Sequence, residues 1–200
     1  MKQLTVLMDE NVMTVNVPQP SAKDQFHEFS RLNPELRIEQ TKEGNMIIML
    51  PAYTETGNKN FKLNTKFGIW VEQNGQGEGF DSSTGFILPN GAKRAPDTSW
   101  IRRERWEALS KKARQKFAHI CPDFVIELRS RTDRLKTLKA KMEEYRDNGA
   151  ELGWLIDPFE RNVHIYPANQ PVVILNDPEE VSGDPLLPGF TLKMSAIWGE

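Results

Sequence analysis

The stretch that decides the fold reads CPDFVIELRSRTDRLKTLKAKMEEYRDNGAELGWLID and spans residues 121–157. At its start, Phe124, Ile126 and Leu128 alternate with other residues, which is the period of a β-strand with one apolar face. Residues 135–149 place apolar side chains at helical spacing and close on an Asn-Gly pair, which favours a helix end. A strand, a helix and another strand in this order predict an α/β (α+β) domain around one mixed β-sheet flanked by helices.

Working outward, the sequence predicts further elements in a single domain that covers residues 1–200. Loose apolar alternation predicts an N-terminal strand arm over residues 1–17. The other predicted elements are a short helix before Asn33, a hairpin of 36–40 with 46–50, a helix from Thr56 to Asn74, strands near Phe80, at 85–88 and over 93–101, a helix over 104–118, and three strands and a closing segment after residue 150.

Composition excludes some classes of protein but does not indicate which reaction the protein catalyses. The chain has 26 Lys and Arg against 28 Asp and Glu, which excludes a globally basic nucleic-acid binder. It has one cysteine, so no disulfide framework or multi-cysteine zinc site is expected. No apolar run approaches the length of a membrane span. We therefore expect a protein of the cytoplasm with no membrane partner.

The chemically informative segment runs from Asp97 to Lys141. On the predicted strand, Glu127 and Arg129 share the face opposite the apolar one, about 6.6 Å apart. Asp123 shares that face but lies about 13 Å from Glu127, too far for both to bind one magnesium ion. A carboxylate partner for Glu127 must come from another strand, and Asp97 is the best candidate. Without further information, Asp97 is equally a turn residue after proline, and Glu127 a salt-bridge partner of Arg129.

Four segments carry a resemblance to a known family. They are GFDSSTGFILPNGAKRAPDTSW (79–100), CPDFVIELRS (121–130), LKAKMEEYRDNGAELGWLIDP (138–158) and LPGFTL (187–192). Together they resemble the Uma-type restriction endonucleases of bacteria, which belong to the PD-(D/E)XK nuclease superfamily. The resemblance runs from about Leu36 to Trp198. It implies a restriction-endonuclease-like core in the order α-β-β-β-α-β.

The resemblance also implies roles for four residues. Asp97 matches the family's metal-binding aspartate, and Glu127 matches its second acid. Leu128, the next residue, would offer its main-chain carbonyl to the metal. Glu39 of RIEQ matches the acid on the N-terminal strand region. The implied cofactor is Mg²⁺ or Mn²⁺.

The basic residue of the site departs from the superfamily pattern. Arg129 stands where the superfamily has lysine, and the Uma-type pattern instead puts a lysine on the next helix, which Lys141 matches. Because Lys141 lies roughly 80° from the centre of the buried helical stripe, it can reach toward the sheet or extend into solvent. An arginine is always protonated, so we expect Arg129 to bind substrate phosphate and Lys141 to position the nucleophile.

Further arginines are candidates for phosphate contacts. Arg131 replaces a proline of the family's usual turn and adds a charge near the site. Arg102 joins Arg129 and Arg131 as a predicted substrate-binding residue, although any single arginine of this kind is more often a solvated surface charge.

These observations predict a divalent-metal-dependent endonuclease that hydrolyses DNA phosphodiester bonds. The alternative is a nuclease-fold protein that binds nucleic acid or protein without cutting, which the displaced lysine and acidic net charge favour. We also expect a homodimer, since an N-terminal strand arm with no partner of its own tends to pair with a second copy.

Overall fold

The structure is a computed structural model that describes residues 5–9, 12–16, 22–74 and 76–199. Its helices are α1 (Ala22–Leu32), α2 (Thr54–Asn74), α3 (Arg103–Glu107), α4 (Lys111–Arg114), α5 (Leu135–Asp147) and α6 (Ser195–Trp198). Its strands are β1 (Thr5–Asp9), β2 (Val12–Asn16), β3 (Arg37–Gln40), β4 (Met46–Met49), β5 (Gly77–Asp81), β6 (Phe86–Ile87), β7 (Lys93–Arg94), β8 (Thr98–Arg102), β9 (Ala118–His119), β10 (Phe124–Leu128), β11 (Leu152–Asp157), β12 (Asn162–Pro167), β13 (Val173–Asn176), β14 (Glu180–Ser182) and β15 (Thr191–Lys193).

The predicted mixed α/β architecture flanked by helices is confirmed, but the described strands form two large sheets and a small one rather than a single sheet. One large sheet has the order β1-β2-β4-β3-β7-β6-β9, and the other has the order β13-β12-β11-β10-β8-β5. Strands β14 and β15 pair with each other. Both large sheets are mixed, because β6 runs parallel to β9 and β10 runs parallel to β11.

The six-stranded sheet contains the core that the resemblance implies. In chain order, α2, β5, β8, β10, α5 and β11 give the sequence α-β-β-β-α-β. Strands β5, β8 and β10 are antiparallel neighbours, and α5 connects β10 to its parallel neighbour β11. A parallel pair needs such a crossover connection, which explains why the clearest helix of the sequence lies between these two strands.

Opposite faces of this sheet pack against α2 and α5. The cluster on the α2 side includes Leu63, Phe67, Trp70, Phe124, Ile126 and Trp154. The cluster on the α5 side includes Val125, Leu138, Met142, Tyr145 and Leu155. The alternation predicted for β10 is therefore confirmed, with even-numbered residues facing α2. Each large apolar side chain buried here contributes about 1.5–3 kcal/mol to stability.

Two glycines fix how α5 lies on the sheet. Gly149 follows the helix with φ +105°, a left-handed conformation that ends a helix at little cost for glycine. A Cβ atom on Gly153 of β11 would overlap the side chain of Met142. The absence of a side chain at Gly153 therefore lets α5 approach the sheet closely, which brings its inner face to β10.

The strand predicted over 93–101 is two strands that belong to different sheets. Strand β7 pairs with β3 and β6, whereas β8 pairs with β5 and β10. Ala95, Pro96 and Asp97 form the connection. Proline has no N–H to donate to a ladder, which favours a break at this point. The break places Asp97 where the two sheets meet.

The N-terminal arm lies partly outside the described residues, but its two strands pair within the chain. Strand β1 pairs with β2, and β2 pairs with β4 in the register Val12↔Met49. The premise that this arm has no partner of its own is therefore wrong. The hairpin predicted at 36–40 and 46–50 is confirmed as β3 and β4.

The helix predicted over 104–118 is also divided. The segment forms the short helices α3 and α4 and then β9. Ser110 caps α4 by accepting a hydrogen bond from Ala113 N. Within the described residues, no helix is long and apolar enough to cross a membrane.

The only cysteine of the sequence, Cys121, is predicted to be unreactive in the folded protein. Its side chain is 1% exposed, and burial raises the pKa of its thiol to about 12. An ordinary thiol with a pKa near 8.5 is partly ionised at about pH 8. We expect Ellman's reagent to label the native chain at that pH far more slowly than the guanidinium-unfolded chain. Equal rates in the two states would contradict the burial.

Candidate active site

The ammonium group of Lys141 lies between two buried carboxylates. Its Nζ is 2.8 Å from Glu127 Oε1 and 2.9 Å from Glu39 Oε1. Glu127 belongs to β10 of the six-stranded sheet, Glu39 belongs to β3 of the seven-stranded sheet, and Lys141 comes from α5. Lys141 therefore reaches toward the sheet, the first of the two orientations that its helical angle allows, and its side chain is 12% exposed.

Glu39 is held by two further groups. Its Oε1 accepts a hydrogen bond from Ala95 N at 3.0 Å, and its Oε2 accepts one from Arg94 at 3.1 Å. Arg94 also donates to Glu144 Oε2 at 2.6 Å, which links β7 to α5. Glu39 is thus fixed by cations and an amide rather than by solvent.

Glu127 is oriented by Tyr145, one helical turn beyond Lys141. The Tyr145 hydroxyl donates to Glu127 Oε1 at 3.0 Å. Burial and the charge of Glu127 raise the pKa of Tyr145 well above its ordinary value, so the hydroxyl remains a donor. Both donors use Oε1, and Glu127 Oε2 accepts no hydrogen bond from the described residues. That oxygen belongs to a side chain that lines the cleft described below.

Asp97 reaches the same place from the connection between β7 and β8. Its Oδ2 accepts a hydrogen bond from Leu128 N at 2.9 Å, and its Oδ1 accepts one from Asn60 of α2 at 3.1 Å. Arg37 of β3 lies 3.5 Å from Asp97 Oδ1. Because Leu128 directly follows Glu127, this bond locks Asp97 beside the second acid.

The pKa values of Glu127 and Glu39 are shifted in opposite directions, although Lys141 acts to lower both. Burial, together with the charges of Asp97 and Glu39, raises the pKa of Glu127 against the opposing effect of Lys141. Burial also acts to raise the pKa of Glu39, but the charges of Lys141 and Arg94 outweigh it and lower that pKa. The pKa of Lys141 is raised because the two carboxylates outweigh its burial, so it stays an ammonium ion.

The predicted acids border one cleft of about 940 Å³. Its lining includes Glu39, Asp97, Glu127, Leu128 and Lys141. The structure therefore brings together the four residues predicted as catalytic, with Leu128 beside them. The described residues contain no group of three or more His, Cys, Asp or Glu side chains placed as metal ligands.

The donor chemistry of the cleft nevertheless fits a hard cation. Magnesium is commonly held by one or two carboxylates and keeps several waters. Asp97, just before β8, and Glu127 on β10 supply two carboxylates, and Glu127 Oε2 carries no hydrogen bond from the described residues. The volume of the cleft leaves room for the waters.

None of the three predicted phosphate-binding arginines lines the cleft, and they differ in how far from it they lie. Arg129 follows the end of β10. Its side chain donates to Asp157 Oδ2 at 2.6 Å, so it does not continue the face of β10 that carries Glu127. Arg102, at the far end of β8, pairs with Asp123 and Glu151. It is about 16 Å along the strand from Asp97, away from the cleft, which does not support a phosphate contact there.

Arg131 extends over the ring of Phe159, with its Cζ 5.4 Å from the ring centroid. It lies beside the cleft and does not line it. Among the predicted arginines, Arg129 and Arg131 remain near the acids, and Arg102 does not.

Sequence reasoning missed three residues that shape this site. Tyr145 belongs to the apolar helical pattern of residues 135–149, which does not mark it as part of the site. Its i, i+4 spacing from Lys141 is the signal that the two side chains share a face of the helix. Asn60 on α2 carried no local signal, because its partner Asp97 is 37 residues away. Arg94 precedes the Ala-Pro-Asp segment, but its two carboxylate partners come from distant elements.

The fold and the paired acids define a protein of restriction-endonuclease-like architecture. The family model described as "Uma2: Putative restriction endonuclease" matches residues 24–195, and the chain belongs to this family. Its fold is similar to the crystal structure of a protein described as a putative nuclease belonging to DUF820 from Anabaena variabilis ATCC 29413. The TM-score is 0.69 at 19% identity, over 82% of this chain and 91% of that one. No curated protein matches the chain significantly.

Removing the shared cation is predicted to destabilise the fold in a pH-dependent way. Lys141→Ala leaves two buried carboxylates without their common partner, a change that costs about 3–5 kcal/mol in comparable pairs. Because Lys141 lowers the pKa of both glutamates, its loss raises both values, and the variant folds best where they are protonated. Urea unfolding in EDTA should therefore show a larger loss of stability at about pH 8 than at about pH 5.

The matched control is Lys136→Ala, an exposed lysine on the same helix. It should leave the free energy of unfolding almost unchanged at both pH values, since an exposed charge contributes little. An equal loss for Lys141→Ala at both pH values would show that the two glutamates do not depend on Lys141.

Proposed function

We propose that this protein is a divalent-metal-dependent endonuclease that hydrolyses DNA phosphodiester bonds in the cytoplasm. The observation that carries the proposal is the convergence of Asp97, Glu127, Glu39 and Lys141 on one cleft from two sheets and a helix. Membership of the Uma2 family supports the same reaction class. The single cysteine suits a reducing compartment.

Asp97 and Glu127, with the main-chain carbonyl of Leu128, would hold Mg²⁺ or Mn²⁺. A bound divalent cation polarises the phosphate and lowers the pKa of a bound water. The hydrogen bonds from Leu128 N and Asn60 to Asp97 keep this carboxylate beside Glu127 before any metal arrives. Tyr145 likewise fixes Glu127 through Oε1 and leaves Oε2 without a hydrogen bond from the described residues.

Lys141 positions the attacking water and does not remove its proton. Its pKa is raised by the two glutamates, so at neutral pH it donates hydrogen bonds and accepts none. An ammonium donor beside the scissile phosphate also stabilises the charge that develops there. Glu39 acts through Lys141, because it holds the ammonium on the side away from Glu127.

The second candidate function is binding without cutting. Eight carboxylate side chains line the cleft against five cationic ones, which favours a site with weak affinity for bare phosphates. In this case the nuclease fold would bind nucleic acid or protein and Lys141 would only neutralise Glu39 and Glu127. Metal binding and turnover distinguish the two functions.

We predict metal-dependent cleavage that needs Lys141 but not Arg129 for the chemical step. Wild-type protein should cut plasmid or single-stranded DNA with Mg²⁺ or Mn²⁺. Lys141→Ala should abolish turnover while calorimetry still detects metal binding. Asp97→Ala should lose both. Arg129→Ala should mainly weaken substrate binding, since a guanidinium stays protonated and can bind phosphate but cannot shuttle a proton.

Two outcomes would overturn this assignment. If Lys141→Ala cuts at the wild-type rate and Arg129→Ala is inactive, Arg129 holds the catalytic position. If wild-type protein and Asp97→Ala bind magnesium equally weakly and neither cuts DNA, the binding function is correct.

We further propose a homodimer, now on a different ground from an unpartnered arm. Strand β1 ends the seven-stranded sheet, and its outer edge pairs with no other strand among the described residues. Exposed strand edges favour pairing with another chain. Light scattering at micromolar concentration should give about twice the 22.9 kDa chain mass. A mass of one chain, unchanged by concentration, would exclude the dimer.

A further inference from the structure

A second cavity, of about 250 Å³, opens beside the catalytic cleft. Its lining residues are Tyr53, Glu55, Thr56, Lys59, Leu128, Arg129, Arg131, Pro158 and Phe159. Tyr53, Thr56 and Leu128 also line the catalytic cleft, so the two spaces adjoin. Because Leu128 directly follows Glu127, this side cavity lies next to the position of the scissile phosphate.

The three cationic side chains of the side cavity differ in how far they are neutralised. Arg129 is paired with Asp157 at 2.6 Å, and Lys59 is paired with Glu55 at 2.8 Å. Arg131 forms no ion pair with the described residues, although its charge acts on Glu55, which is already paired with Lys59. Its guanidinium is held over the ring of Phe159, so the cavity presents a positioned cation with no ion-paired carboxylate of its own.

The α5 wall of the catalytic cleft is mainly acidic. It presents Glu143, Glu144 and Asp147, of which Glu144 is paired with Arg94 and Glu143 with Arg146. Among the described residues of α5, the one cation that lines the cleft is Lys141, which two glutamates already share, so this wall offers little to attract a phosphate chain. The path toward Arg131 leads away from these acids, so charge favours it for the strand that flanks the scissile phosphate.

The side cavity also presents aromatic surface. Tyr53 is 58% exposed and Phe159 is 40% exposed, and both line it. Nucleobases stack on such rings with little sequence preference, and stacking needs a free base face. A base pair in a duplex shows a protein only its edges in the grooves. The combination therefore suits an unpaired nucleotide better than a paired one.

We propose that the side cavity binds an unpaired nucleotide that flanks the scissile phosphate, with the base on Tyr53 and the phosphate on Arg131. The inference rests on the proposed nuclease function and adds a substrate class to it, namely DNA that is single-stranded or locally unpaired on this flank. Phe159 holds Arg131 in position and completes the aromatic lining.

The test is metal-free binding, so that affinity is measured without cleavage. A short fluorescein-labelled DNA strand and the duplex of the same sequence are titrated in EDTA and followed by anisotropy. Wild-type protein should bind the single strand more tightly. Tyr53→Ala should weaken that binding about tenfold, and Tyr53→Phe should restore it because the ring is kept. Arg131→Ala should weaken binding and lower the salt slope by about 0.7, the value for one lost phosphate contact on a single strand.

The controls match these changes away from both cavities. Phe61→Ala removes an exposed aromatic ring of α2, and Arg31→Ala removes an exposed arginine of α1. Both should bind the single strand as wild type does. If Tyr53→Ala and Arg131→Ala also bind it as wild type does, or if the duplex binds as tightly as the single strand, the inference is wrong. If wild-type protein binds neither the single strand nor the duplex, both this inference and the proposed nuclease function fail. The test does not depend on cleavage.

Discussion

The buried ammonium group of Lys141 is the interaction on which the rest of the site depends. It joins Glu39 of one sheet to Glu127 of the other, and it comes from the helix that connects β10 to β11. Two carboxylates taken out of water repel each other and lose hydration, so they stay buried only with a cation between them. Lys141 thereby couples the packing of α5 to the alignment of the two sheets. The same contact that stabilises the junction places a donor beside the candidate metal ligands.

A second constraint is the main-chain break at Ala95, Pro96 and Asp97. The chain leaves one sheet at the end of β7 and joins the other at the start of β8. As a result, Ala95 N donates a hydrogen bond to Glu39, and Leu128 N donates one to Asp97. Backbone donors therefore hold both Glu39 and Asp97. Because hydrogen bonds of the chain itself fix these acids, less ordering is needed when a ligand binds.

Local patterns in the sequence were enough for the core elements and for part of the site. The period-two strand at 124–128 and the helical stripe of α5 placed Glu127 and Lys141 on elements that the structure confirms. The division into two sheets was not predictable, because nothing local in residues 93–101 shows that each half pairs with different, distant strands. The sequence also does not show which partner a side chain contacts. Arg102 was expected at the substrate, and it is held by Asp123, whose position depends on strand register.

The most direct measurement of the central claim is an anomalous diffraction map from crystals grown with Mn²⁺. The account predicts one strong peak between the carboxylates of Asp97 and Glu127, bound through Glu127 Oε2, with Lys141 Nζ still within hydrogen-bond distance of Glu127 Oε1. A map with no peak there at saturating Mn²⁺, or one in which Lys141 has moved away into solvent, would contradict it.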